Sequence, residues 1–184
     1  MDKVGVIHGR FQPLHNAHME YLLAARSRCD FLYIGISNPD PRSTREDEAD
    51  RIRSRPEANP FSYYERLLMI CRAFKAEGIS TETFCIVPFP INFPQLLKFY
   101  VPLDGTFYMT IYDEWGEKKR QLFEKLRLKV EVMWKDRPKV ISGADVRKKI
   151  HQYGPWEELV PPVVASLMKD LQLDRRVQEI RGVV

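Results

Sequence analysis

Apolar residues gather in five short runs, Val4–His8, Phe31–Ser37, Thr83–Pro88, Thr106–Tyr112 and Lys129–Trp134. They are rich in β-branched and aromatic residues and do not alternate with polar ones. Such runs predict strands buried on both faces, as in a parallel sheet covered by helices. The stretches between them carry helical spacing. Residues 18–28 set Met19, Leu22, Leu23 and Arg26 on one stripe. Residues 62–77 open with Ser62 and place Glu65 three positions on, a capping box, with Gly78 closing the helix. Residues 94–100, 114–127 and Ala144–Gln152 predict further helices. The alternation gives an α/β class, a Rossmann-like, doubly wound, parallel five-stranded sheet with a C-terminal helical segment over 155–184. Pro161-Pro162 breaks that segment and suits the start of a final helix. One domain spans 1–184. A sheet of this kind binds ligands beyond the carboxyl ends of its strands, where the strand order reverses.

Residues 38–60 differ from their surroundings, with four prolines, dense charge and no apolar period. The length suits a mobile loop acting as a lid or, equally, a solvated insertion.

Composition narrows the class. The chain has 184 residues, 44% hydrophobic and 29% charged, enough for a real core. The net charge is +4. Lys and Arg are spread from Lys3 to Arg181 and form no stripe, which argues against nucleic acid and suits a polyphosphate pocket. Three cysteines form no CxxC pair, so reduced thiols are expected, with Cys29 and Cys85 as small core residues. No apolar run approaches the roughly 18 residues of a membrane span. The N-terminus enters a strand at once, unlike a signal peptide. A cytoplasmic protein with no membrane partner is expected.

The first strand runs into Gly9-Arg10-Phe11-Gln12-Pro13-Leu14-His15-Asn16-Ala17-His18. A strand, a Gly-containing turn and a helix start make an anion site, because the free N–H groups and positive dipole end of the helix face the ligand. Gly9 permits close backbone approach to a phosphate. His15 and His18 are three apart and share a face at the helix start. Arg10 adds a planar fork of donors. The other readings of the pair are a satisfied helix start, or zinc, which needs a third ligand that no nearby cluster supplies. A second motif, Ile141-Ser142-Gly143-Ala144-Asp145-Val146-Arg147, follows the fifth strand. Ser142 is a natural N-cap, Gly143 admits close contact, and Arg147 emerges near the helix start, within reach of a phosphate.

GRFQPLHNAH followed by ISGADVR resembles the HxGH nucleotidyltransferase superfamily. Within it the chain is most similar to the archaeal-type nicotinamide-mononucleotide adenylyltransferases. Residues 59–70 and Pro155-Trp156 through Pro161 resemble further parts of that family, so the likeness spans most of the chain. It implies that His15, His18, Arg10 and Arg147 are catalytic and hold the triphosphate. It implies nucleotide contacts from Gly9, Phe11, Gln12, Ile141, Ser142, Gly143 and Val146, and Mg2+ carried by the triphosphate. It departs from the family at Ala17, where the family has Gly, and more strongly on the acceptor side. There residues 88–101 lack the family's Asp, Leu97 stands at its Trp, and Thr110–Gly116 replaces its S-G-N. Pro90, Ile91, Asn92, Tyr112 and Trp115 are the acceptor-side expectations. The leading expectation is an enzyme joining ATP to nicotinamide or nicotinate mononucleotide with release of pyrophosphate. The alternatives are transfer from CTP or ATP to another phosphorylated or phosphonylated small molecule, or a nucleotide-binding regulator. A homo-oligomer is open.

Overall fold

The computed structural model describes residues 2–41, 55–135, 137–138 and 140–180. Strands β1 (Asp2–Gly9), β2 (Cys29–Ser37), β3 (Phe84–Phe89), β4 (Thr106–Ile111) and β5 (Lys129–Lys135) form one sheet. Its order is β3-β2-β1-β4-β5. Every pairing is parallel, with Val6 opposite Tyr33 in β2 and Phe107 in β4. The chain winds outward from β1 through β2 to β3, then returns to begin the other half at β4. The switch in direction therefore lies between β1 and β4, where a Rossmann-like sheet opens its crevice.

Helices α1 (Asn16–Arg26), α2 (Tyr63–Ala76), α4 (Gly143–His151), α5 (Pro162–Asp170) and α6 (Leu173–Glu179) share one core with the sheet. Ile7, Leu22, Ile34, Phe74, Ile150, Leu167 and Val177 meet there with no solvent exposure. Helix α3 (Glu114–Lys125) covers the other face, where Phe123 packs on Val6, Phe89, Phe107 and Met109. Gly35 in β2 makes that face possible, since a Cβ there would lie 2.5 Å from the Phe89 ring.

The capping box at α2 is present in full: Ser62 Oγ accepts from Glu65 N, and Glu65 accepts from Ser62 N at 2.8 Å. Gly78, with φ +70°, follows the end of α2 in the left-handed conformation expected of a closing glycine. Glu65 also receives two hydrogen bonds from Arg176, both 2.8 Å, which tie α6 to the start of α2. Two expectations need correction. Residues Pro94–Phe99 form a 3-10 segment, and so short a piece after a proline is held by tight turns. The C-terminal segment opens with a 3-10 turn at Glu157–Leu159 and a helix does start at Pro162, as the proline pair predicts, but α6 follows it, so α5 is not the final helix. Most of the expected 38–60 loop lies outside the described residues. No helix among the described residues is long and apolar enough to cross a membrane.

Candidate active site

The turn after β1 is built around a buried ring. Phe11 has φ 53° and no exposure, and a Cβ at Gly9 would stand 2.8 Å from its Cζ. Glycine at position 9 is thus required first by Phe11. Gln12 is also spent on structure: its Nε2 donates to the Phe61 carbonyl at 2.8 Å and its Oε1 accepts from Phe61 N at 3.0 Å. That clamp fixes the approach to α2 against the motif. Arg66, fully buried in α2, donates to the carbonyls of Arg10, Ser37 and Asn38. Burial draws its pKa down to about 10.

His15 is the N-cap of α1, with extended backbone, and its Nδ1 accepts from His18 N at 3.3 Å. The two rings stack with centroids 3.6 Å apart. Phe11 meets the edge of the His18 ring at 5.0 Å, so the pair is wedged between helix start and turn. Two imidazoles beside open N–H groups can donate to phosphate oxygens.

The second motif docks directly on this turn. Ser142 caps α4, but its hydroxyl is engaged with Asp145, donating to Oδ2 at 2.6 Å. A Cβ at Gly143 would lie 2.5 Å from the Gln12 carbonyl oxygen. Arg147 reaches the same oxygen from Nη1 at 2.5 Å. Arg147 is only 5% exposed, and its Nε has no partner among the described residues. Burial lowers its pKa to about 10, against a raising effect of Asp145, so it stays charged at neutral pH.

Both motifs open on a cavity of about 980 Å³ at the carboxyl ends of the strands. That is the upper end of the usual range for ligand sites and leaves room for a nucleotide with a second small molecule. Gly9, Arg10, Phe11, Gln12, His15, His18, Ile141, Ser142, Gly143 and Arg147 all line it. Among the acceptor-side expectations, Tyr112 and Trp115 line it too. Val146 does not; it has no exposure and sits in the core below α4. Pro90, Ile91 and Asn92 do not line it either. Ile91 is buried in the α3-side core, and Asn92 Nδ2 donates to Asn38 Oδ1 at 3.4 Å. They follow β3, the outer strand, away from the switch between β1 and β4.

The far wall holds residues the sequence reading passed over. The β4–β5 ladder slips between Met109 and Thr110, so Val132 and Trp134 take successive partners. Such a bulge re-aims the side chains beyond it. Trp134 Nε1 donates to Tyr112 Oη at 2.6 Å, and the Arg137 guanidinium lies 4.8 Å from the Trp134 ring centre. On the α3 side, Lys119 lies 4.0 Å from the centre of the Trp115 ring. His8 stacks on Phe89 at 4.6 Å and meets the edge of Phe123 at 5.4 Å. The signal for His8 was a titratable residue ending an apolar strand, one position before the glycine turn. Nothing local marks a bulge, Lys119 or Arg137.

Comparison with known proteins agrees with this geometry. Residues 6–149 match the cytidylyltransferase-like family. The chain is similar to a phosphonoformate cytidylyltransferase from Streptomyces viridochromogenes, 49% identical over 174 residues that cover 95% of each chain. It is also similar to a nicotinamide-nucleotide adenylyltransferase from Thermococcus onnurineus, 30% identical over 97% of this chain and 88% of that one. Among solved structures, a bifunctional NMN adenylyltransferase/ADP ribose pyrophosphatase from Francisella tularensis superposes with TM-score 0.68 at 17% identity. The match covers 97% of this chain and 53% of that one, so this chain spans about half the length of that protein, and the likeness is one of fold.

Proposed function

The chain belongs to the cytidylyltransferase-like family, and from that membership we propose that it transfers the cytidylyl group of CTP to a small phosphonate. That it is a nucleotidyltransferase follows from the family and from both groups of relatives. The finer reading is favoured by one comparison: 49% identity to a phosphonoformate cytidylyltransferase across nearly the whole of both chains, against 30% to the adenylyltransferase. The order of expectation drawn from sequence is thereby reversed, with the cytidylyl alternative ahead of ATP and nicotinamide mononucleotide. The acceptor side agrees. Trp115 has Lys119 over one face and the Tyr112 hydroxyl is held by Trp134, so a cation and a polar edge stand on the acceptor side.

The observation that carries the transfer itself is the meeting of Arg147 and Gln12, which brings the two motifs to one cavity. His15, His18, Arg10 and Arg147 hold the triphosphate. An oxygen of the acceptor's phosphonate attacks the α-phosphorus, a P–O bond forms, and the bond to the β-phosphate breaks as pyrophosphate leaves. Both imidazoles and both guanidinium groups meet charge that moves onto the leaving oxygens, so positioning and neutralisation supply the rate. The side chains around the phosphates are cationic, and the described residues hold no cluster of three metal-ligating groups. Mg2+ carried by the triphosphate would offset its charge beside these cationic side chains.

A pyrophosphate-release screen decides it, crossing CTP and ATP with phosphonoformate, methylphosphonate, nicotinamide mononucleotide and nicotinate mononucleotide. CTP with a phosphonate should give the highest kcat/KM. Turnover confined to ATP with a mononucleotide would restore the other order.

A further inference from the structure

We propose that His8 and Lys119 form a second anion subsite that grips the acceptor at the end remote from its attacking phosphonate oxygen, and so select a phosphonate bearing a nearby carboxylate. This rests on the cavity being the transfer site described above.

His8 is the last side chain of β1 before the glycine turn and stands at the switch between β1 and β4. It faces the α3 side, whereas Arg147 and the core beneath α4 belong to the other. The cavity wall thus carries cationic or donor groups on both sides of the point where α-phosphorus and acceptor must meet. His8 is 6% exposed, and its Nε2 has no hydrogen-bond partner among the described residues. A buried nitrogen is seldom left in that state, and a ligand oxygen on the cavity side is the natural partner. Lys119 lines the same wall and acts on His8 electrostatically, adding to burial in holding the imidazole neutral. A neutral imidazole can still donate from Nε2, and the ammonium supplies the charge. Asp113, a cavity-lining carboxylate on the α3 side, is taken up by the cap of α3, where Oδ1 accepts from Gly116 N at 2.8 Å.

The position of His8 is set from below. Its ring is nearly parallel to Phe89, with 11° between the planes, and Phe89 occupies space that a side chain at Gly35 would fill. A histidine packed this closely presents its edge in one orientation, which is what selection by a single oxygen needs.

The experiment compares initial rates of pyrophosphate release from CTP with phosphonoformate and with methylphosphonate, which keeps the attacking group and lacks the carboxylate. The native enzyme should favour phosphonoformate by about 10²-fold in kcat/KM, since its polar wall is left unpaired by the shorter analogue. His8→Val should raise KM for phosphonoformate by about tenfold or more and erase most of the preference, while KM for CTP moves little. His8→Gln, which keeps an N–H donor, should recover part of it. Lys119→Met, half-exposed on α3, carries the same expectation should His8→Val not fold. A preference unchanged in Lys119→Met, or in a folded His8→Val, overturns the subsite and leaves the transfer reading intact. An enzyme that releases no pyrophosphate with either phosphonate overturns both.

Discussion

The Arg147 guanidinium donates to the Gln12 carbonyl at 2.5 Å, joining residues 135 positions apart. The same carbonyl oxygen is the closest neighbour a Cβ at Gly143 would meet. One backbone oxygen therefore serves as the seam between the two motifs. Arg147→Met leaves that oxygen unpaired, and a loss of about 1–3 kcal/mol of stability should follow. It also removes a cation from the phosphates, so KM for the triphosphate should rise about tenfold or more. Urea unfolding and initial rates at varied triphosphate check the two effects; a variant with native KM would remove Arg147 from phosphate binding.

The imidazole pair separates by choice of substitution. His18→Ala takes a donor from the transition state and should lower kcat by about 10²-fold with the fold retained. His15→Asn keeps a side-chain acceptor for the cap of α1 but loses the stacked ring. It should preserve the melting temperature and still lose turnover. Native turnover in either variant would contradict the role given to that ring.

Two glycines make a contrast. Gly143→Ala drives a methyl against backbone and should cost about 1–3 kcal/mol as well as raise KM for the triphosphate. Gly78→Ala meets nothing within 4 Å, but its φ of +70° is strained for an L side chain. It should cost about 1 kcal/mol and leave the kinetics alone. Equal kinetic effects from the two would show that the seam is not special.

Acid should weaken the junction of α6 with α2. Burial alone would raise the pKa of Glu65, but hydrogen bonds from Arg176 and from Ser62 prevail and lower it from 4.5. A carboxyl depressed in the fold adds stability that is complete above 4.5 and lost as pH falls through the lower folded value. Arg176 is 44% exposed, so solvent screens the pair and its contribution is about 1 kcal/mol or less. Glu65→Gln should lower stability at neutral pH and flatten the acid slope; an unchanged slope would assign it elsewhere.

His8 gives a second pH signature in a different range. Burial, then Lys119, holds it well below its ordinary 6.5, so the unfolded chain binds a proton that the folded one refuses. The stability tied to this neutral ring is present above 6.5 and drains away as pH falls below it. His8→Gln should remove that dependence, as measured by unfolding at about pH 7.5, 6.5 and 5.5. A slope identical in the variant would mean that His8 is not held neutral.

Strand count, sheet class and the helix caps at Ser62 and Ser142 were legible because each rests on local chemistry: apolar runs, a hydroxyl, a carboxyl three residues on. The residues of the two motifs that line the cavity were legible for the same reason, being contiguous with a glycine turn or a cap. Val146 was misread because a helix start shows one face to ligand and the next to the core, and spacing alone does not tell which. Pro90, Ile91 and Asn92 were misplaced because strand order is a long-range property: the segment after β3 lies at the sheet's outer end. The wall made by Trp134, Tyr112 and Arg137 depends on a one-residue slip in β5, and no short pattern announces it.

Arg66 carries a caution for anyone mapping this site by loss of function. It does not line the cavity described above, yet it bonds the carbonyl of Arg10 in the turn after β1 and two more where β2 ends. A random-mutagenesis survey will return it beside His18, and abundance in the cell will be the only column that tells the strut from the tool.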